Sequence, residues 1–279
     1  MSDERAEMLD RWEGVASGWK ATRAVFQRAM QPVSEWMVEA IHPQPGHQVL
    51  ELAAGLGDTG LLAAERVQPG GSVILSDGAE GMVEAARKHA AEVGAENVEV
   101  RQMQAEWIDL SAASVDAVLC RFGFMLLLDP EAALRETRRV LKPGGRVALA
   151  VWDAFERNPW VAVLRGALEE RGLAEPPPPD QPGQFSLSSF ESVTELLDAT
   201  GFDDVEVTGL DLAFEAASVD EWWAFSTQTS PSLAAAVRNL APAEHYKLRD
   251  AVDAGYASFV RDDGSLLLPA RALVAAATA

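Results

Sequence analysis

Through the middle of the chain, apolar residues fall in short, nearly unbroken runs separated by stretches where they recur every three or four positions. His47-Gln-Val-Leu-Glu-Leu52, Ser72-Val-Ile-Leu-Ser-Asp77, Val98-Glu-Val-Arg-Gln102, Val115-Asp-Ala-Val-Leu-Cys120 and Arg146-Val-Ala-Leu-Ala-Val-Trp152 read as strands. Helical spacing fills the gaps from Asp58 to Val67, from about Ala79 to Val93, and from Asp129-Pro130 onwards. Asp129 can cap the free N–H groups of that last helix, and Pro130 costs nothing at its first position. Gln68-Pro-Gly-Gly71 and Lys142-Pro-Gly-Gly145 stop the first and last of these helices. Strand–helix alternation with near-continuous apolar strands predicts a parallel sheet covered on both faces, an open α/β sandwich.

The last third has a different texture. Pro176 to Pro179, extended by Pro182-Gly183, reads as a stiff non-helical connector. Ser188-Ser-Phe-Glu191 has the form of a capping box opening a helix through Phe190, Val193, Leu196 and Leu197, which Gly201 ends. Phe202 to Val207 and Ala270 to Ala277 read as strands, with helices between them from Val219 to Ser226 and from Ala243 to Phe259. No composition break isolates a second core, so these helices are expected to cap one sheet. The expected organisation is a single domain over 1–279. Its core is 46–153 and 200–279, with an N-terminal lid over 1–40 and cap segments 154–198 and 215–262.

Composition narrows the function classes. The chain has 279 residues, 48% of them hydrophobic, which suffices for a sizeable core. Lys and Arg number 23 against 43 Asp and Glu, a formal charge of −20, which argues against a nucleic-acid partner because phosphate binding rests on basic side chains. No apolar run reaches the ~20 residues of a membrane span, and the N-terminus lacks the features of a signal peptide, so a cytoplasmic protein is expected. One cysteine, Cys120, excludes an internal disulfide, and with four scattered histidines no metal site is expected.

The strongest local signal is Val49-Leu-Glu-Leu-Ala-Ala-Gly-Leu-Gly-Asp-Thr-Gly60, where Gly55, Gly57 and Gly60 fit G-x-G-x-x-G between a strand and a helix. Glycines there let the backbone turn tightly and approach a ligand. Asp77 ends the second strand, where a carboxylate can accept both hydroxyls of a ribose. Glu51 ends the first. A pyrophosphate loop should avoid a carboxylate there, whereas an ammonium or sulfonium ligand would be attracted by it.

Together with Asp77-Gly-Ala-Glu-Gly-Met82, Ala105-Glu-Trp107, Val115-Asp-Ala-Val-Leu-Cys120 and Arg139-Val-Leu-Lys-Pro-Gly-Gly145, this segment resembles the successive motifs of class I S-adenosylmethionine-dependent methyltransferases. The nearest branch is the ubiquinone/menaquinone-biosynthesis-like (type 11) small-molecule enzymes. The likeness is densest from Val49 to Trp152, and a looser one covers Arg11 to Trp19 and Gly201 to Val207. The resemblance implies a Rossmann-like sheet of seven strands, mostly parallel with the last antiparallel, helices on both faces, and a helical cap. It also implies that S-adenosyl-L-methionine lies over the C-terminal strand ends. Gly55 and Gly57 would then face the methionine moiety, Glu51 its amino group, Asp77 the ribose, and Gly78 and Met82 the adenine. Ala105 and Glu106 would meet the adenine edge, Trp107 could cover the ring, and Cys120, Arg121 and Phe122 would line the transfer site. Trp19 would belong to a lid over the cofactor. The family's first motif glycine is Ala53 here, tolerable if that residue has no need of positive φ. The usual Asp before Ala105 is Gln104, for which Glu106 could substitute.

Methyl transfer by in-line displacement needs alignment and exclusion of water more than acid–base groups. His245 with Tyr246 is the leading candidate for a base, and Asp153 the second. Trp12, Trp19 and Phe26 recur every seven residues, and Trp152, Trp160, Phe185, Trp222, Trp223 and Phe225 are expected near the strand ends. Their bland role is packing the cap; their functional one is an apolar pocket for an aromatic or lipophilic acceptor, methylated on oxygen or carbon rather than nitrogen. Two alternatives stay open: an NAD(P)-dependent oxidoreductase, and a non-catalytic S-adenosylmethionine-binding protein of the same fold. Homodimerisation is left open too.

Overall fold

A computed structural model describes residues 13, 16–175, 181–229, 231–238 and 240–279. The sheet has the order β3-β2-β1-β4-β5-β7-β6. β1 (Gln48–Glu51), β2 (Ser72–Asp77), β3 (Val98–Gln102), β4 (Val115–Arg121) and β5 (Leu141–Trp152) are parallel. β7 (Leu266–Thr278) runs antiparallel between β5 and β6 (Asp203–Ala216). This is the seven-stranded Rossmann-like arrangement expected, with the last strand reversed.

Strand order fixes where the helices go. From β1 the chain passes through α2 (Asp58–Arg66) to β2 on one side, and from β4 through α4 (Pro130–Val140) to β5 on the other. Right-handed crossovers moving in opposite directions put their helices on opposite faces. α1 (Ala16–Ala40) packs with both α2 and α3 (Glu80–Glu92), while α6 (Phe190–Ala199) packs with α4 and on β6. Covered on both sides, β5 is buried throughout from Val147 to Trp152. β1 and β4 are neighbours whose crossovers diverge, so a crevice opens beyond their C-terminal ends.

The strands run longer than the hydrophobic runs suggested, for identifiable reasons. β6 continues past Val207 because Leu212, Phe214 and Ala216 are buried while Asp211 and Glu215 alternate outwards. β7 begins before Pro269, which sits where the strand pairs with β6 alone, since pairing to β5 starts at Ala272. β5 starts at Leu141, opposite Val115, and the register shift between Val115 and Ala117 absorbs the Pro-Gly-Gly turn. The capping box of α6 is displaced by one residue: Ser189 and Ser192 cap each other's backbone N–H groups, not Ser188 and Glu191.

Insertions follow β5 and β6. The first carries α5 (Pro159–Glu169); the second, between Ala216 and Leu266, carries α7 (Val219–Thr229), α8 (Pro231–Arg238) and α9 (Pro242–Tyr256), which packs on α5. Aromatic rings fasten these to the sheet in an unbroken series. Phe122 stacks on Trp152 (4.2 Å between centroids), Trp152 meets Trp160 (4.9 Å), and Trp160 meets Phe214 (5.0 Å). Phe214 meets Trp222 (5.1 Å), which stacks on Phe225 (4.8 Å). Trp222 is fully buried, its Nε1 donating to the Tyr256 hydroxyl (3.1 Å), which donates to the Trp160 carbonyl (2.9 Å). The expected pocket lining at Trp152, Trp160, Trp222 and Phe225 is therefore solid core, because rings this large gain more by packing on one another than by facing a cleft. Among the described residues no helix is long and apolar enough to cross a membrane.

Candidate functional site

Backbone hydrogen bonds set the loop after β1. Ala54 N–H donates to the Ser76 carbonyl (2.9 Å), and Gly57 N–H closes a turn on the Ala54 carbonyl (2.8 Å). The Asp77 carboxylate receives Gly55 N–H on one oxygen (2.9 Å) and Ala79 N–H on the other (3.0 Å). Asp77 thus ties the glycine loop to the start of α3 and is itself half-buried at the crevice. Burial of its carboxylate raises its pKa, and the backbone N–H groups of Ala79, Gly55 and Gly78 pull it back. A carboxylate can accept more than two hydrogen bonds, so capacity for a diol remains.

The three motif glycines do different work. Gly55, at φ +54°, faces open space: nothing lies within 4 Å of where its Cβ would be. At Gly57 a Cβ would come within 2.5 Å of Leu75 Cδ1, and at Gly60 it would collide with Leu75 and Glu51. Gly57 and Gly60 therefore seat α2 on β2, and the face Gly57 leaves bare is turned to the core, not to a ligand. Ala53 does adopt positive φ (+48°), contrary to the condition set for it, and its methyl lies 2.7 Å from where a Cβ on Gly123 would be.

Glu51 also departs from expectation. It is 2% exposed, and one oxygen accepts Gly60 N–H in the first turn of α2 (2.8 Å). Burial pushes its carboxyl up from 4.5 to about 8, although Arg121 opposes the rise. A group that holds its proton at neutral pH is not the standing negative charge inferred from sequence.

Beside it lies a charged network that the sequence did not advertise. Asp58, the first residue of α2, accepts Arg23 Nε from α1 (2.9 Å), with a further contact to Arg23 Nη2, and lies 3.8 Å from Arg121 at the end of β4. Arg121 donates to Ser34 Oγ (2.9 Å) and Gln27 Oε1 (3.2 Å) of α1, and Ser34 bonds Thr59 (2.9 Å). The His89 ring on α3 bonds the Leu56 carbonyl (2.8 Å). Burial lowers the pKa of Arg121, and Asp58 and Glu51 oppose that. The network pins α1 across the loop.

At the end of β4, Phe122 is held at φ +61°, a region costly for an aromatic residue. Cys120 is fully buried, and burial pushes its thiol up to about 12. It fills core and leaves no surface to a ligand, correcting its inclusion among the cofactor-binding residues.

A methyltransferase-domain family model matches residues 49–145, the span from β1 into β5. Nocamycin O-methyltransferase of Saccharothrix syringae is 31% identical over 222 residues, covering 76% of this chain and 77% of that protein. The ubiquinone/menaquinone biosynthesis C-methyltransferase of Cupriavidus pinatubonensis is 32% identical, with 60% of this chain and 72% of the relative covered. The chain belongs to the S-adenosylmethionine-dependent methyltransferases. Solved structures share the fold: the YcgJ protein of Bacillus subtilis (TM-score 0.59, 22% identity, 88% and 97% of the two chains) and Haemonchus contortus phosphoethanolamine N-methyltransferase 2 with S-adenosyl-L-methionine (0.53, 17%, 88% and 52%). The enzyme uses S-adenosylmethionine and methylates small molecules. The oxidoreductase alternative finds no support.

In this methyltransferase the remaining predicted residues are spread unevenly. Gly78 and Met82 follow Asp77 into α3, and Met82 is buried. Ala105 and Glu106 are buried in the turn after β3, closed by Trp107 N–H on the Gln104 carbonyl (3.1 Å), while Trp107 itself is 59% exposed. Trp19 lies in α1, but its side chain is outside the described residues, as is Trp12. The Asp153 carboxylate is engaged in the fold, accepting Arg271 Nε (2.9 Å) and Ala154 N–H (2.7 Å) and locking β5 to β7. His245 sits on α9 edge-on to Trp223 (5.6 Å), and Tyr246 beside it is 73% exposed.

Proposed function

We propose that this methyltransferase holds its cofactor between the glycine loop, Asp77 and the turn after β3, and alkylates oxygen or carbon of an aromatic or lipophilic acceptor. The donor set fits the cofactor. Gly55 presents an open face where a side chain would intrude, and Asp77 stands at the crevice with acceptor capacity left. When bound, S-adenosylmethionine supplies a methyl group on a sulfonium sulfur. The chain's part is to fix the ribose at Asp77, to keep the loop in one shape through Ser76 and Asp77, and to exclude water at the end of β4.

The observation that carries the acceptor class is Phe122. An aromatic residue kept in left-handed backbone where β4 ends, buried and stacked on Trp152, gives that end of the crevice an apolar backing suited to a neutral planar nucleophile. Relatives named as an O-methyltransferase and a C-methyltransferase support the atoms proposed. The test is a labelled-cofactor screen of phenols, quinols and enols against amines and tRNA, together with Asp77→Asn. We expect a phenol, quinol or enol acceptor, and at least tenfold weaker cofactor binding in Asp77→Asn with the fold retained, about 1.4 kcal/mol. Preferential methylation of an amine or of tRNA, or unchanged affinity in Asp77→Asn, refutes the corresponding half.

A further inference from the structure

Gly81 stands in the first turn of α3, a position where alanine would favour the helix. Its backbone is not left-handed, so conformation does not explain the glycine. Space does. The three atoms nearest to a Cβ built there all belong to Glu13: Oε1 at 2.6 Å, Cδ at 3.1 Å and Oε2 at 3.2 Å. Gly81 N–H donates to Glu13 Oε2 (2.9 Å). Ala79, the N-cap of α3, brings no capping side chain, so a carboxylate 68 residues distant in sequence takes up this N–H. Asp77 takes the Ala79 N–H two residues earlier in the same turn, and the charge of Glu13 adds to what disfavours its ionisation. Two carboxylates from remote parts of the chain therefore share one helix N-terminus at the edge of the crevice.

Bringing like charges together needs a compensating donor. The helix N-terminus supplies part of it. A vicinal diol supplies the rest, since each hydroxyl can donate to a different carboxylate and each carboxylate can accept more than its backbone N–H groups. We propose that Glu13 is a further cofactor-positioning residue, which with Asp77 clamps the ribose diol, and that glycine at 81 is there to admit it. This rests on the assignment of Asp77 to the ribose.

Calorimetric titration with S-adenosylhomocysteine tests it on the full chain in the wild type, Glu13→Ala, Gly81→Ala, their double variant and Asp77→Asn. Glu13→Ala and Gly81→Ala are each expected to weaken binding about tenfold, the scale of one charge-assisted hydrogen bond. The double variant should bind no worse than Glu13→Ala. Gly81→Ala should also raise the Tm of the ligand-free protein, because alanine improves the helix. Affinity falling while stability rises is not the outcome of a merely structural contact. With a 2′,3′-dideoxyribose analogue the effect of Glu13→Ala should vanish. If Asp77→Asn binds weakly but Glu13→Ala and Gly81→Ala bind as wild type, Glu13 has no such role and the site stands. If Asp77→Asn also binds as wild type, both readings fall. A Glu13→Ala loss that persists with the dideoxy analogue overturns the diol clamp.

Discussion

Glu51 gives a quantitative test of the buried loop. Its carboxyl is 2% exposed, bonded to Gly60 N–H, and raised from 4.5 to about 8 by burial. In the unfolded chain it ionises near 4.5, whereas in the folded protein it keeps its proton to about 8. Between those values the unfolded state binds fewer protons, so raising the pH favours unfolding. The stabilising contribution is fully present below about 4.5 and is lost as pH rises through about 8. At about 1.4 kcal/mol per pH unit, the loss amounts to about 5 kcal/mol. Glutamine has the same shape, keeps an acceptor for Gly60 and does not ionise. Glu51→Gln should thus differ little in pH dependence below pH 4.5 and gain on the wild type by up to about 5 kcal/mol near pH 8. Urea unfolding of both proteins without cofactor, from pH 4.5 to 8.5, measures the difference directly, since titrating groups remote from Glu51 cancel. A difference that stays flat with pH would refute the buried, protonated carboxyl.

The other perturbations follow from single contacts. Asp153→Asn should lower stability, seen in urea midpoints, and leave turnover of the folded enzyme unchanged; a turnover loss beyond tenfold would restore Asp153 as a base. Asp58→Ala removes the main partner of buried Arg121 and should cost about 3–5 kcal/mol in urea unfolding, far above an exposed ion pair. Ala53→Gly relieves a left-handed alanine and should stabilise by about 1 kcal/mol, read as a Tm increase. Trp222→Ala should cost about 3–5 kcal/mol by cavity formation, with cofactor affinity unaltered in calorimetry.

What could be read from the sequence was what repeats along it. The apolar runs of β4 and β5 and the turns at Pro69 and Pro143 announce strand–helix alternation, and Asp77 stands at a strand end where its position alone is informative. Contacts between distant residues leave no such trace. Arg23, Asp58 and Arg121 are ordinary charges on separate elements until α1 crosses the loop and sets Arg23 against Asp58. The same limit misled the reading of the tryptophans. Spacing says that Trp152, Trp160 and Trp222 come near the strand ends, but only the fold shows their rings filling one another's space. Glu51 shows the remaining kind of error, since a carboxylate counted as a charge in the sequence becomes a protonated group once it is buried.

Topology also orients the reaction on this reading of the site. The crevice opens where the crossovers from β1 and β4 diverge, and its two walls are chemically unlike. The β1–β2 side carries Asp77 and, near it at the start of α3, Glu13, two carboxylates suited to hydroxyls and a cationic centre. The β4–β5 side carries Phe122 on Trp152, with Phe155 and Phe185 edge to face at 5.3 Å further along. A sulfonium nucleoside is drawn to the first wall by charge and hydrogen bonding, and a planar apolar acceptor to the second by burial. The bond being exchanged then lies between them, where Ala53 and Gly123 bring the two loops together so closely that neither could carry a longer side chain. Bulk added at either residue should separate the walls and slow transfer without abolishing binding of the cofactor. Ala53→Val against Ala53→Gly, compared in kcat and in cofactor Kd, measures that separation.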